Sequence, residues 1–180
     1  PDAARDPVAA GMSTAALAES VDAAHARRDW SSAIRWGEPL VARRPKDAGA
    51  LVDLGLALHN FSLARPDSAP GARPPLRTSL KRASQDARAL MLMSAAAASA
   101  RKPREWTRAK RYEGNFYEIL GLPVEALECY EAILSRAPRD SVALARRYWV
   151  ATHLLDPGAS DFPPAFDPRI DPLPNRVRRA

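Results

Sequence analysis

At 180 residues, 46% hydrophobic and 27% charged, the chain is long enough to bury a core and about the size of one globular domain or one short repeat array. Its single cysteine, Cys129, excludes an intrachain disulfide. Its most apolar stretch, residues 89–100 between Arg88 and Arg101, falls short of the roughly 18 to 20 residues a bilayer helix needs. A net charge of +6 favours an acidic partner, nucleic acid or a membrane surface without selecting among them.

The chain opens at Pro1 with no basic, apolar leader. That leaves a signal or anchor ahead of it open, and with it the choice between cytoplasm and cell envelope for an expected soluble protein. Residues 1–12 are expected to be a flexible segment. Ser13 is a natural N-cap for a helix running to about residue 28, with Ala16, Leu17, Val21 and Ala24 as one apolar stripe. A second helix, about 30–44, turns Ala33, Ile34, Leu40 and Val41 inward, and Pro39 within it predicts a bend. After Pro45, Asp47 caps a third, to about residue 62, with Leu51, Leu54, Gly55 and Leu58 in phase.

Residues 63–76 hold four prolines and no apolar period, so an exposed, extended insertion loop is expected. A long helix over about 77–100 follows, its apolar phase Leu80, Ala83, Ala87, Leu90, Met91 and Ser94. Pro103 starts a fifth helix that ends at Gly121, a natural C-terminal glycine. Pro123 opens a sixth, to about residue 136, with Cys129 as a packed small hydrophobe in the phase of Ala126, Tyr130 and Ile133. The seventh, about 140–155, turns Leu144, Tyr148, Val150 and Leu154 inward. Residues 156–180 carry six prolines among few apolar residues and read as an extended tail, which Phe162, Phe166 and Ile170 are able to anchor on the last helices.

One phrase is written twice, 93 residues apart (126 − 33): Ala33-Ile34, Pro45, Asp47 and Ala50-Leu51 return as Ala126-Leu127, Pro138, Asp140 and Ala143-Leu144. A duplicated helix-turn-helix unit marks a repeat protein, because one unit cannot bury its own apolar face. In the second copy Gly114, Tyr117, Ala126, Tyr130 and Pro138 stand at spacings of three, nine, four and eight. That pattern resembles the tetratricopeptide repeat. Gly121 supplies the turn within this hairpin. The first copy is weaker, keeping Ala33 and Pro45 but holding Gly37 where the aromatic belongs, and Leu54-Gly55 opens a stretched middle unit.

The resemblance implies an all-α, tetratricopeptide-like array over residues 13–155: about seven helices in a right-handed α-α superhelix, three hairpins and a terminal helix that caps the last apolar face. It also implies a concave groove lined by the first helix of each unit. There it places His25, His59 and Glu118 at equivalent positions, with His153 one residue further on. These are expected to be polar groove lining, and no metal or cofactor is expected. Arg108, Arg111 and Asn115 recur at three and four on one helix face, joined by Asn60. In related arrays a basic residue four positions before an Asn grips a peptide's terminal carboxylate, and Arg111 with Asn115 has that spacing.

None of the common nucleophile, phosphate-loop or metalloprotease motifs occurs. The sequence therefore reads as a non-catalytic scaffold for a protein or peptide, expected to be acidic. The alternative is a basic helical module for nucleic acid or another polyanion, using Arg101, Lys102, Arg104, Arg108, Lys110 and Arg111. The 21 acidic residues interspersed along the chain weigh against nucleic acid.

Overall fold

The computed structural model describes residues 7–63 and 76–155, all of them in helices or the turns between helices. In chain order these are α1 (Pro7–Gly11), α2 (Thr14–Ala26), α3 (Trp30–Arg43), α4 (Ala48–Leu63), α5 (Leu76–Ser99), α6 (Pro103–Ile119), α7 (Pro123–Arg136) and α8 (Ser141–Trp149). The chain runs on from α8 into a π-helical segment, Val150–Leu155. Most of the expected insertion loop, residues 64–75, and the whole expected tail lie outside the described residues. Among the described residues no helix is long and apolar enough to cross a membrane.

The sequence predicts one folded unit, whereas the chain divides into two compact ones, Pro1–Tyr112 and Glu113–Ala180, with the boundary inside α6. Helical hairpins contact mainly their sequence neighbours, so a stack of them has no obligatory common core.

In the first unit α2, α3 and α4 pack side by side and α5 lies on α4. Leu17, Val21, Leu40 and Ala50 form one core cluster, with Trp36 and Val41 packed against it. Ala24, Ala33 and Ala57 form a second, at positions where small side chains let the helices close. Helix α3 runs through Pro39, whose ring is buried. Gly37 on α3 lies against Leu54: a Cβ there would stand 3.2 Å from Leu54 Cδ1. Gly55 on α4 does the same for α5, with Met93 Cε 2.6 Å from the Cβ position.

The segment expected to be flexible at the N-terminus holds α1. Ala9 is buried in the first cluster and Met12 packs on it. The Arg43 guanidinium donates to the carbonyls of Ala9 (2.9 Å), Ala10 (3.1 Å) and Met12. A cation at a helix C-terminus is favoured by its own helix; Arg43 spends that charge on the exposed carbonyls of α1 instead.

Two faces differ from the sequence reading. On α5 the buried phase is Asp86, Ala89, Met93, Ala96 and Ala97, while Leu80 and Met91 face outward. On α8 it is Ala143, Arg146 and Val150, while Leu144 and Tyr148 are exposed. Both stripes recur at three and four, so periodicity alone does not say which of two adjacent phases is turned inward.

The written duplication is also a duplication of turns. Gly121 takes φ +74, with Leu122 N–H donating to Tyr117 C=O at 2.8 Å and Gly121 N–H to Glu118 C=O at 3.0 Å. This is the Schellman closure of a helix C-terminus. Ninety-three residues earlier (121 − 28) Arg28 takes φ 56, with Asp29 N–H donating to Ala24 C=O at 2.9 Å and Arg28 N–H to His25 C=O at 3.0 Å. The second turn repeats as well: Asp47 caps the N–H of Ala50 at 3.2 Å, and Asp140 that of Ala143 at 2.9 Å. The described residues therefore form a helical-hairpin repeat fold.

An arginine in the left-handed region costs roughly 1–2 kcal/mol, more than the 0.5–1 kcal/mol of extra chain entropy a glycine loses on folding. Arg28→Gly is therefore expected to stabilise the chain by about 0.5–1 kcal/mol, read as a melting temperature higher by about 1–4 °C. A lower melting temperature would mean that the Arg28 side chain contributes more than its backbone costs.

Candidate functional site

Helix α6 carries the candidates Arg108, Arg111, Asn115 and Glu118, and the C-terminal half of α6 builds a polar centre within the second unit. Gly114 leaves room for the ring of Tyr130 from α7: a Cβ at Gly114 would meet Tyr130 Cζ at 2.8 Å and Cε1 at 2.9 Å. That places the fully buried Tyr130 hydroxyl 2.8 Å from Asn115 Oδ1 and 2.5 Å from Glu118 Oε1. Arg146 of α8 reaches the same oxygens. Its Nε and Nη2 donate to Asn115 Oδ1 at 3.2 and 2.9 Å. Its Nη1 stands 3.4 Å from Glu118 Oε2, an ion-pair distance at which Nη1 makes no hydrogen bond.

Arg146 is only 4% exposed. Burial, and after it the Glu118 charge, push the Tyr130 phenol far above its usual range. The folded state thus holds this proton more tightly than the unfolded chain. The stability gained is fully present below the ordinary phenol pKa of about 10 and declines as pH rises beyond it. Phenolate absorbance followed against pH is expected to show a tyrosine that ionises only as the fold opens, and Tyr130→Phe is expected to remove that component. A Tyr130→Phe titration identical to wild type would overturn this assignment.

The other candidates are held locally. His25 Nε2 donates to the carbonyl of Asp53 on α4 at 3.0 Å, and the His25 ring meets Trp30 edge-on at 5.5 Å. The Asp53 carboxylate takes Arg108 Nη2 at 2.7 Å. His59 Nδ1 lies 2.7 Å from Asp86 Oδ1 of α5, both side chains nearly buried. Asn60 donates back to Leu56 C=O on its own helix at 2.8 Å. His153 stacks on Trp149 at 3.8 Å. Arg111 is partly buried.

The Asn115 carbonyl oxygen is turned to Arg146 and Tyr130. The four groove positions fall into separate local contacts. Among the described residues no group of three or more His, Cys, Asp or Glu is placed to hold a metal ion.

Sequence reasoning missed Arg146, Asp86 and Asp53. The first two had a visible signal, since each stands in an apolar helical phase, Arg146 with Ala143 and Val150 and Asp86 with Ala89 and Met93. A charge in such a phase is buried with a partner or not at all. Asp53 and Arg146 are also repeat-equivalent, 93 residues apart (146 − 53).

No protein-family model matches this chain, and no curated protein matches it. The crystal structure of MamA protein is similar to it, with 18% identity over 82% of this chain and 84% of that one and a TM-score of 0.36.

Proposed function

We propose that the chain is a non-catalytic protein-binding module that holds an acidic segment of another protein bearing apolar anchors. The observation that carries this reading is the outward lane of α5. Leu80 is 62% and Met91 72% exposed, and Ala83, Ala87, Ala95 and Ala98 are exposed at the same helical spacing. The exposed charges along it, Lys81 and Arg88, are both cations, and Arg88 is held by Glu38 at 2.7 Å. A contiguous apolar strip at the surface marks an interaction site, and a strip along one helix suits the apolar face of a partner segment. The tetratricopeptide-like spacing from Gly114 to Pro138 supports the same class of function.

A display library of amphipathic peptides screened against the full chain tests this. Selected sequences are expected to combine apolar anchors at three and four with Asp or Glu, and Leu80→Ser with Met91→Ser is expected to weaken them about tenfold or more. Unchanged binding by that double variant would remove α5 from the interface. Screening with free and amidated C-termini tests whether Arg111 reads a carboxylate. If instead a single-stranded RNA bound with steep salt dependence, the polyanion reading would replace this one.

A further inference from the structure

The exposed lane of α5 is charged along one edge only. Lys81 and Arg88 are exposed and stand seven residues apart, close to two helical turns, so they share an edge. Ala83, Ala87 and Ser94, also exposed, line the other edge. Along the axis the two cations lie roughly 10 Å apart at the helical rise. A helical segment laid in the lane meets them with two of its own residues, also about seven apart.

Arg88 is already occupied. Its Nη1 stands 2.7 Å from Glu38 Oε1 and its Nη2 donates to Glu38 Oε2 at 2.7 Å, the two-pronged geometry in which a guanidinium takes a carboxylate. The pair closes no core. Helices α3 and α5, which carry the two residues, both pack on α4, and the Arg88 side chain is 50% and that of Glu38 22% exposed. Water and salt screen an ion pair so placed, and it holds its members weakly. A second carboxylate arriving along the lane exchanges one such pair for another, and Glu38 turns into water.

We propose, on the reading of α5 as the interface, that Arg88 selects a partner's carboxylate and that Glu38 sets the strength of this selection by competing for the same guanidinium. The partner pattern follows: two Asp or Glu about seven residues apart, along one side of an apolar stripe. Lys81 takes one as a point charge, and Arg88 takes the other through its planar fork. A neutral segment meets an arginine that is already satisfied. An acidic one gains only the difference between its own carboxylate and that of Glu38.

The test uses the full chain, an acidic amphipathic peptide selected on it, and a copy of that peptide in which Gln replaces every Asp and Glu. Glu38→Gln is expected to tighten the acidic peptide about two- to fivefold, the range an exposed pair commands, and to leave the Gln copy unchanged. Arg88→Gln is expected to lower the ratio of the two affinities while binding of the Gln copy holds. Glu19→Gln makes the same change of charge on the exposed face of α2 and should leave both affinities at wild type. A purely structural pair would move the melting temperature and not this ratio. Binding that is lost in Leu80→Ser with Met91→Ser, yet shows one ratio in wild type and Glu38→Gln, would overturn the exchange and leave α5 as the interface. An equal gain from Glu19→Gln would also overturn it, since net charge alone would then account for the effect, as would a selection that yields no acidic peptide. Selected peptides indifferent to Leu80→Ser with Met91→Ser would remove α5 from the interface, and the exchange with it.

Discussion

Gly114→Ala is expected to destabilise the second unit by about 1–3 kcal/mol, although alanine is the better helix former by about 1 kcal/mol. The new methyl would stand 2.8 and 2.9 Å from two atoms of the Tyr130 ring, closer than carbon atoms approach without something moving. The ring has nowhere to go. It is fully buried, and its hydroxyl is fastened to Asn115 and Glu118. Gly114→Leu is expected to be worse still.

The matched control is Gly55→Ala, where the nearest atom is the terminal methyl of Met93 at 2.6 Å. A methionine end is flexible and repacks, so Gly55→Ala is expected to cost less than Gly114→Ala. Denaturant midpoints with unchanged slopes measure both. A Tyr130→Leu background separates the cause: the Gly114→Ala penalty should shrink there, giving a coupling energy of about 0.5–3 kcal/mol. Equal penalties in both backgrounds would show that the Tyr130 ring is not the obstacle.

The helices were legible because their punctuation is local. Ser13, Asp47 and Asp140 cap, Pro123 opens and Gly121 closes, each by chemistry confined to a few neighbouring residues. Which side of a helix is covered depends on where other helices lie, and this is where the reading of α5 and α8 turned over. Leu80, Met91, Leu144 and Tyr148 belong to regular apolar stripes and are nonetheless exposed. The candidate site was legible at Glu118 and Asn115 as polar positions of one helix face, but the guanidinium that occupies them comes from Arg146, 31 residues beyond Asn115. Arg43 is the same lesson at the other end of the chain: a cation at a helix C-terminus whose partners are the carbonyls of a different helix.

Arg146→Leu is expected to cost about 3–5 kcal/mol, the range for removing one partner of a buried ion pair. The Arg146 side chain is 5% and that of Glu118 10% exposed, so water does not take over when the guanidinium leaves. Asn115 Oδ1 also loses two donors at once. Arg146→Lys is expected to recover little, since one ammonium does not reproduce the planar fork that holds Asn115 through Nε and Nη2. If the loss is the stranded charge and not the missing volume, removing the charge as well should restore stability. Glu118→Met with Arg146→Met is expected to regain most of it, because buried pairs replaced by apolar residues of similar size are often neutral or better. A double variant as unstable as Arg146→Leu would show that the network is needed for packing around Tyr130 and not merely tolerated there. A double variant at wild-type stability would show that the four polar groups add no net strength to the association of α8 with α6 and α7.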